Sequence, residues 1–362
     1  MKKSALALLT ILIFAGSLPL VAQDPHHGHT SNAAPDTTTH FGAEKHFSKV
    51  RQLTFGGDNA EAYFSFDSKK IVFQMTNPDF NAVCDQIFSS ELETFNPRLV
   101  STGNGRTTCS YFLAGDSTFI YASTHESAKE CPPKPAPRAD HKYVWPIYET
   151  FDIYKADMKG NIIQKLTNTP GYDAEATVSP KGDKIVFTSL RTGDPELYTM
   201  NIDGSNVKQV TNGLGYDGGA FFSPDGTKLI FRASRPKTEE EIKVYKELLA
   251  QGQVMPTNME LFICNVDGSD LKQVTHLGGA NWAPFFTPDG KNVIFSSNHI
   301  QKGYHFNLWM CDLKGENLEQ ISFDPVFDAF PVFSPDGKHL IFSSNRNNGG
   351  GHDTNLFIAD WK

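Results

Sequence analysis

The sequence predicts an all-β fold: a six-bladed β-propeller of four-stranded antiparallel blades, closed by an N-terminal strand that pairs into the last blade. Three observations carry this. A Pro-Asp-Gly turn between two apolar runs recurs along the chain. A second hairpin signal follows the recurrences at a similar distance. One strand-like segment is left over before the first repeat, and one is wanting after the last.

The turn is clearest at Ser334-Pro335-Asp336-Gly337, between the apolar runs 329–333 and 338–344. Pro presets φ, Asp closes the turn through its side chain and Gly supplies φ > 0. The same unit stands at 223–226, 287–290 and 179–182, with degenerate copies at 65–68 and 113–116. The turn starts are 48, 66, 44, 64 and 47 residues apart. That is a repeat with a period in the mid-forties and two enlarged copies. In the third copy the strands run over 174–179, 184–189, 196–201 and 206–211, the last two joined by Asp203-Gly204. The sixth copy stops at Trp361-Lys362 after its third strand, while 49–54 is a spare fourth strand. Pairing the two closes the ring and covers an exposed edge.

Residues 1–23 read as a cleavable export signal, with Lys2 and Lys3 before an apolar stretch from Ala5 to Phe14. No Cys follows it for a lipid anchor, so the expected location is the periplasm or the cell exterior, with no membrane span after cleavage. Residues 24–45 lack apolar periodicity and read as a disordered leader. Its His26, His27 and His29 have no carboxylate or Cys framework around them for a metal. Residues 46–362 form the propeller domain, expected to be a monomer. Without the signal, 31 basic residues face 41 acidic ones, a formal charge of about −10. Such a surface excludes a nucleic-acid binder, which needs basic groups for phosphate.

Five cysteines are too few for a disulfide scaffold, but export permits one bridge. Cys264 and Cys311 occupy equivalent third strands of neighbouring blades and are expected to be reduced. Packed sheets lie about 10 Å apart, whereas a bridge needs Cα atoms within about 7 Å. Any bridge should join two of Cys84, Cys109 and Cys131. The pair Cys84 and Cys131 is favoured, because both lie toward the loop-bearing face.

Two insertions, 125–150 and 234–258, separate the second and third strands of blades two and four. They fall on the face from which the chain enters each first strand. The second contains a helix: Thr238 and Glu241 form a capping box, Ile242, Tyr245, Leu248 and Leu249 share a face, and Gly252 ends it.

The pattern D-x5-S-P-D-G-x2-I-x-F-x-S-x-R, followed by L-Y-x-M-x2-D-G, is matched most closely from Asp173 through Arg191 to Gly204, with Lys181 in place of the turn Asp. It resembles the TolB-type (WD-like) propeller repeat, and the resemblance covers residues 48–361. It implies a periplasmic or extracellular binding propeller. Residues 24–47 are too short for the separate α/β domain that TolB proteins carry. Similar propellers accompany exported peptidases, so the resemblance includes such an enzyme among the partners. This chain has neither a G-x-S-x-G elbow nor an H-E-x-x-H pair.

Aligned six residues before each turn stand Asn59, Thr107, Asp173, Asp217, Asn281 and Asp328. A propeller places them around one channel mouth. Beside them lie Glu61, Glu175, Tyr172, Tyr216, Trp282 and Phe327. Near the ends of second strands come His125, Arg191, Arg235, His299 and Arg346, and Arg106 enters from the blade-two loop. On one reading each Asp braces its own repeat, Asp173 with Arg191 and Asp328 with Arg346. On the other, these residues form a charged, aromatic-rimmed site. Converging carboxylates are ligands that Ca²⁺ takes, which makes it the one cofactor suggested. Mixed charge favours a peptide, a protein segment or a glycan over a polyanion. The expected function is therefore non-catalytic binding at the mouth. The alternative is a propeller enzyme, a metal-assisted glycan lyase or hydrolase, with His125 as base and Glu61 or Glu175 orienting it. No Ser or Cys nucleophile is specified locally, and Cys109, aligned with Glu175, reads as a small buried hydrophobe.

Overall fold

A computed structural model describes residues 39–136 and 138–362. Six antiparallel four-stranded sheets follow one another around a ring. Their innermost strands are Asp58–Phe64, Thr107–Phe112, Asp173–Val178, Asp217–Phe222, Asn281–Phe286 and Asp328–Phe333. The export signal and the His26–His29 tract lie outside the described residues.

The repeated turn owes its shape to one polar exchange. The Ser or Thr hydroxyl that opens it donates to the Asp two residues on, at 2.7 Å for Ser65, 2.6 Å for Ser223, 2.7 Å for Thr287 and 2.6 Å for Ser334. Where Lys181 replaces that Asp, Ser179 reaches Asp183 instead, at 2.7 Å. A second signature ties each outer strand to the blade. A Ser or Thr hydroxyl accepts from a third-strand N–H at Ser101, Thr167, Thr211, Thr275 and Ser322. In blade six the sixth instance is Thr54, which accepts from Leu356 N at 2.8 Å. Strand Phe47–Gln52 pairs antiparallel with Asn355–Trp361, Phe47 opposite Trp361. The spare strand closes the ring. The fourth strands of blades three, four and five are only two residues long, shorter than their sequence runs. The register carries the chain out of the ladder once the hydroxyl is bonded.

Closure extends upstream of the strand. Residues 39–45, expected from sequence to belong to the leader, pack on blade six. Glu44 is buried, and its carboxylate accepts from the fully buried Arg346 at 2.8 and 3.2 Å. Arg346 also donates to Asp328 at 2.9 Å and lies over the ring of Phe41. The adjacent Asp324 accepts from Val326 N and Phe327 N, but its Oδ2 is buried with no hydrogen-bond partner among the described residues. Burial, then the charge of Asp328, push its carboxyl up to about 7. A folded-state pKa raised above the usual carboxylate value stabilises fully below about pH 4 and loses that contribution as pH rises through 7. The melting temperature should therefore fall by about 4 °C between pH 5 and 7, the effect of about 2 kcal/mol on a domain of this size. Asp324→Asn should remove most of that slope in parallel thermal melts. An unchanged slope would show that Asp324 is already ionised at pH 5.

Candidate ligand site at the channel mouth

Each innermost strand carries a bulge at one position. Its residue has positive φ in all six blades: Glu61, Cys109, Glu175, Gly219, Ala283 and Phe330, with φ between 46° and 59°. The pairing register shifts there in every blade. The bulge turns these six side-chain positions toward the axis. Glu61 of blade one consequently interacts with Cys109 of blade two, Glu175 of blade three and Arg232 of blade four.

Glu175 is fully furnished. It accepts from Tyr216 Oη at 2.6 and 2.7 Å, Thr188 Oγ1 at 2.8 Å and Gly219 N at 2.9 Å, and it pairs with Arg232. Gly219 permits that pair, because a Cβ at this position would lie 1.9 Å from Arg232 Nη1. Glu61 is not furnished in this way. Its Oε2 is buried with no hydrogen-bond partner among the described residues. Burial raises its pKa, and the Cys109 thiol, bonded to the carboxyl, opposes this. Burial likewise holds the Cys109 thiol well above its ordinary value, so it is a protonated donor at neutral pH.

Toward the turn face the channel is plugged. Tyr63 packs on Tyr111 at 5.2 Å and, across the ring, on Phe221 at 5.9 Å; Phe221 meets Phe285 at 5.1 Å. Blades one and four are opposite, so these rings span the axis. Toward the other face the insertions form a partial roof. Trp145-Pro146 and Gln253-Val254 pair as a two-stranded sheet linking the insertions of blades two and four. Trp145 packs on Trp282 with ring centroids 5.0 Å apart and tilted by 50°, and its ring lies 5.2 Å from the Arg232 guanidinium. Helix Glu239–Leu249 carries the expected capping box and buries Tyr245 and Leu248 beneath the roof. It ends at Ala250, two residues before the Gly252 expected to stop it. Cys84 and Cys131 form the single disulfide, with Cα atoms 6.2 Å apart, and tether the blade-two insertion to blade one. Cys109, Cys264 and Cys311 are free and buried.

Only part of the expected constellation converges. Asn59, Thr107, Asp173, Asp217, Asn281 and Asp328 are all essentially buried and engaged by other protein groups, with Asn59, Thr107 and Asn281 donating to the preceding blade. Asp173 pairs with Arg191 at 3.1 Å, Asp217 with Arg235 at 2.6 Å and Asp328 with Arg346 at 2.9 Å. Asn281 accepts from Ser297 at 2.7 Å, and Asn59 donates to Thr354 O at 2.9 Å. Arg106 pairs with Asp85. The aromatics expected at an open rim are taken up by the roof: Trp282 stacks on Phe306 at 4.3 Å, Phe327 packs on Phe306 and Tyr172 on Phe151. His125 is not brought to Glu61 or Glu175. Its Nδ1 bonds Ser123 at 3.0 Å, its ring packs on Tyr154 and its charged neighbours are Glu126, Lys165 and Asp152. Among the described residues no group of three or more His, Cys, Asp or Glu is placed to hold a metal ion. Arg232 was not legible as a site residue, because a charged residue alternating along a strand reads as solvent-facing. The pair Gly218-Gly219 on an innermost strand was the available signal.

The family model for the TolB beta propeller domain matches residues 147–255 and 246–352, more than half of the chain. A search of curated proteins finds no match. Among solved structures, a TolB-like protein from Agrobacterium tumefaciens superposes with a TM-score of 0.57 at 18% identity, covering 86% of this chain and 96% of that one. TolB from Acinetobacter baumannii gives 0.56 at 17% identity, covering 82% of this chain and 64% of that one. An oligogalacturonate lyase from Vibrio parahaemolyticus gives 0.50 at 13% identity, covering 86% and 93%. At these identities the likeness is one of fold.

Proposed function

The chain belongs to the TolB beta propeller domain family, and on that premise we propose that it is an exported, non-catalytic binding propeller. It takes a peptide or protein segment at the face that carries the insertions. One observation carries this reading: the channel is plugged toward the turn face by Tyr63, Tyr111, Phe221 and Phe285. A ligand can reach the polar cluster only from the opposite face. Among the described residues, the exposed aromatics Phe55, Phe80 and Tyr304 and the exposed Val326 and Ile300 all stand in strand connections on that face. Apolar rim residues around a few polar anchors suit a peptide. Export is supported by the N-terminal sequence and by the Cys84–Cys131 bridge, which belongs to an oxidising compartment. The separation of His125 from the channel carboxylates leaves the enzymatic alternative without its base and orienter.

The test is selection of displayed random linear decapeptides on the immobilised propeller. Peptides should be recovered whose affinity falls about tenfold or more in Phe55→Ser with Val326→Ser, the scale of losing well-buried apolar contacts. They should bind unchanged to Lys291→Ala with Lys338→Ala on the turn face. Recovery of no binding peptide, or loss of binding only in the turn-face variant, would reject the reading.

A further inference from the structure

The pseudo-sixfold symmetry of the ring allows one carboxylate to be read against another. Glu175 and Glu61 occupy the same bulge position of blades three and one. Glu175 receives its cation from the following blade, where Arg232 stands opposite Gly218 on the second strand. The matching residue in the blade that follows Glu61 is Ala122, opposite Thr108. The residue matching Gly219, whose missing side chain lets Arg232 through, is Cys109. The chain thus offers Glu61 a methyl group and a thiol where it offers Glu175 a guanidinium. Arg232 itself is engaged by Glu175, by Tyr216 at 3.0 Å and by the ring of Trp145.

A second observation lies around the same carboxyl. The orphan hydrogen-bond acceptors of the inner wall gather in blades six, one and two: Ser343 Oγ, Glu61 Oε2, Gln74 Oε1 and Ser110 Oγ are all buried without partners among the described residues, whereas the orphan in blade four, Arg232 Nε, is a donor. The counterparts of Gln74 and Ser343 in blades three and five are occupied, Thr188 by Glu175 and Ser296 by the N–H of Phe330. All four orphans accept hydrogen bonds, and two accept only through a carbonyl or carboxyl oxygen. Glu61 and Phe330 are partly exposed, whereas Glu175 and Ala283 are buried beneath the roof, so the opening lies over this sector.

We propose that Glu61 is the anchor for a basic side chain of the bound segment, an arginine or lysine entering over blades six and one. The ligand's cation plays toward Glu61 the part that Arg232 plays toward Glu175. Gln74 and the two serines accept its remaining N–H groups. This rests on the peptide-binding reading above and specifies its chemistry.

The same decapeptide selection tests it, run in parallel on three proteins. Against the wild-type chain, one peptide position should be enriched about tenfold or more in Arg or Lys, the contribution of a hydrogen bond to a charged group. Against Glu61→Gln, peptides should still be recovered, but without that enrichment. The third protein, Ala122→Arg with Cys109→Gly, rebuilds the Arg232–Gly219 arrangement beside Glu61 and should also lose the enrichment. A thermal melt confirms that each variant is folded, and Glu61→Gln alone decides the matter if the double variant does not fold. Peptides recovered with no basic position, or with the same basic position on Glu61→Gln, overturn the inference and leave the peptide-binding reading intact. Recovery of no peptide rejects both.

Discussion

Removing residues 41–54 is expected to lower the melting temperature by more than about 10 °C or to leave the chain insoluble, whereas a chain beginning at residue 39 should melt as the full chain does. The deleted stretch supplies the fourth strand of blade six, and its loss bares the ladder edge of Asn355–Trp361. It removes Phe47, fully buried against Phe342 at 5.4 Å and Trp361 at 6.2 Å, together with the buried Leu53. Each such side chain contributes about 1.5–3 kcal/mol through burial. Thr54 can no longer accept from Leu356 N, and Arg346 loses Glu44. An unpaired edge is also a template for association between chains. Calorimetry with size-exclusion chromatography on the two truncations checks this. Equal melting temperatures and a monomeric short form would show that the ring does not depend on its closing strand.

The second large effect is expected at Arg346. Arg346→Met should cost about 3–5 kcal/mol, the usual consequence of leaving a buried ion pair with one partner. Arg346 is fully buried, and its removal strands Glu44 and Asp328 beside the already destabilised Asp324. Stranded carboxylates escape by protonation, which raises their folded-state pKa. The deficit relative to the wild type should therefore shrink as pH falls toward 4.5 and grow as it rises to 8. Urea unfolding at the two pH values measures both quantities. A loss below about 1 kcal/mol at pH 8 would mean that water or rearrangement compensates the cluster.

The ring itself was legible because its punctuation is local. Ser-Pro-Asp-Gly turns and Asp-Gly hairpins encode themselves within a few residues, and the closing strand repeats the Gln-Leu-Thr ending whose hydroxyl recurs in the other blades. The braces were legible too, since Asp173 and Arg191 belong to one repeat. What crosses between repeats was not. Glu44 meets Arg346 over a separation of 302 residues, and nothing around Glu44 sets it apart from a polar leader. Trp145-Pro146 and Gln253-Val254 are strands of two residues each, too short for any periodicity. The open aromatic rim expected at the mouth became a roof for that reason: Trp282 packs on Trp145 of the blade-two insertion and on Phe306, Phe327 on Phe306, and Tyr172 on Phe151. Glu61 and Glu175 stood out only by alignment, and their unequal surroundings depend on residues 122 and 232, which a linear pattern does not bring together.

The bulge that turns six positions toward the axis separates scaffold from message. Its left-handed backbone is met by Glu, Cys, Gly, Ala and Phe alike, so the conformation is imposed by the ladder on either side and not by the residue that adopts it. The strain of a non-glycine residue there, about 1–3 kcal/mol, is already borne at five of the six places. Exchanging one of these side chains for another leaves the ladder and its turns untouched. Gly219 and Glu175 are the exceptions, because Arg232 occupies the space of the missing Cβ of one and pairs with the buried carboxylate of the other. The channel is in that sense a keyboard with four free keys, and a relative of this chain could come to read a different partner by retyping them without rebuilding the instrument.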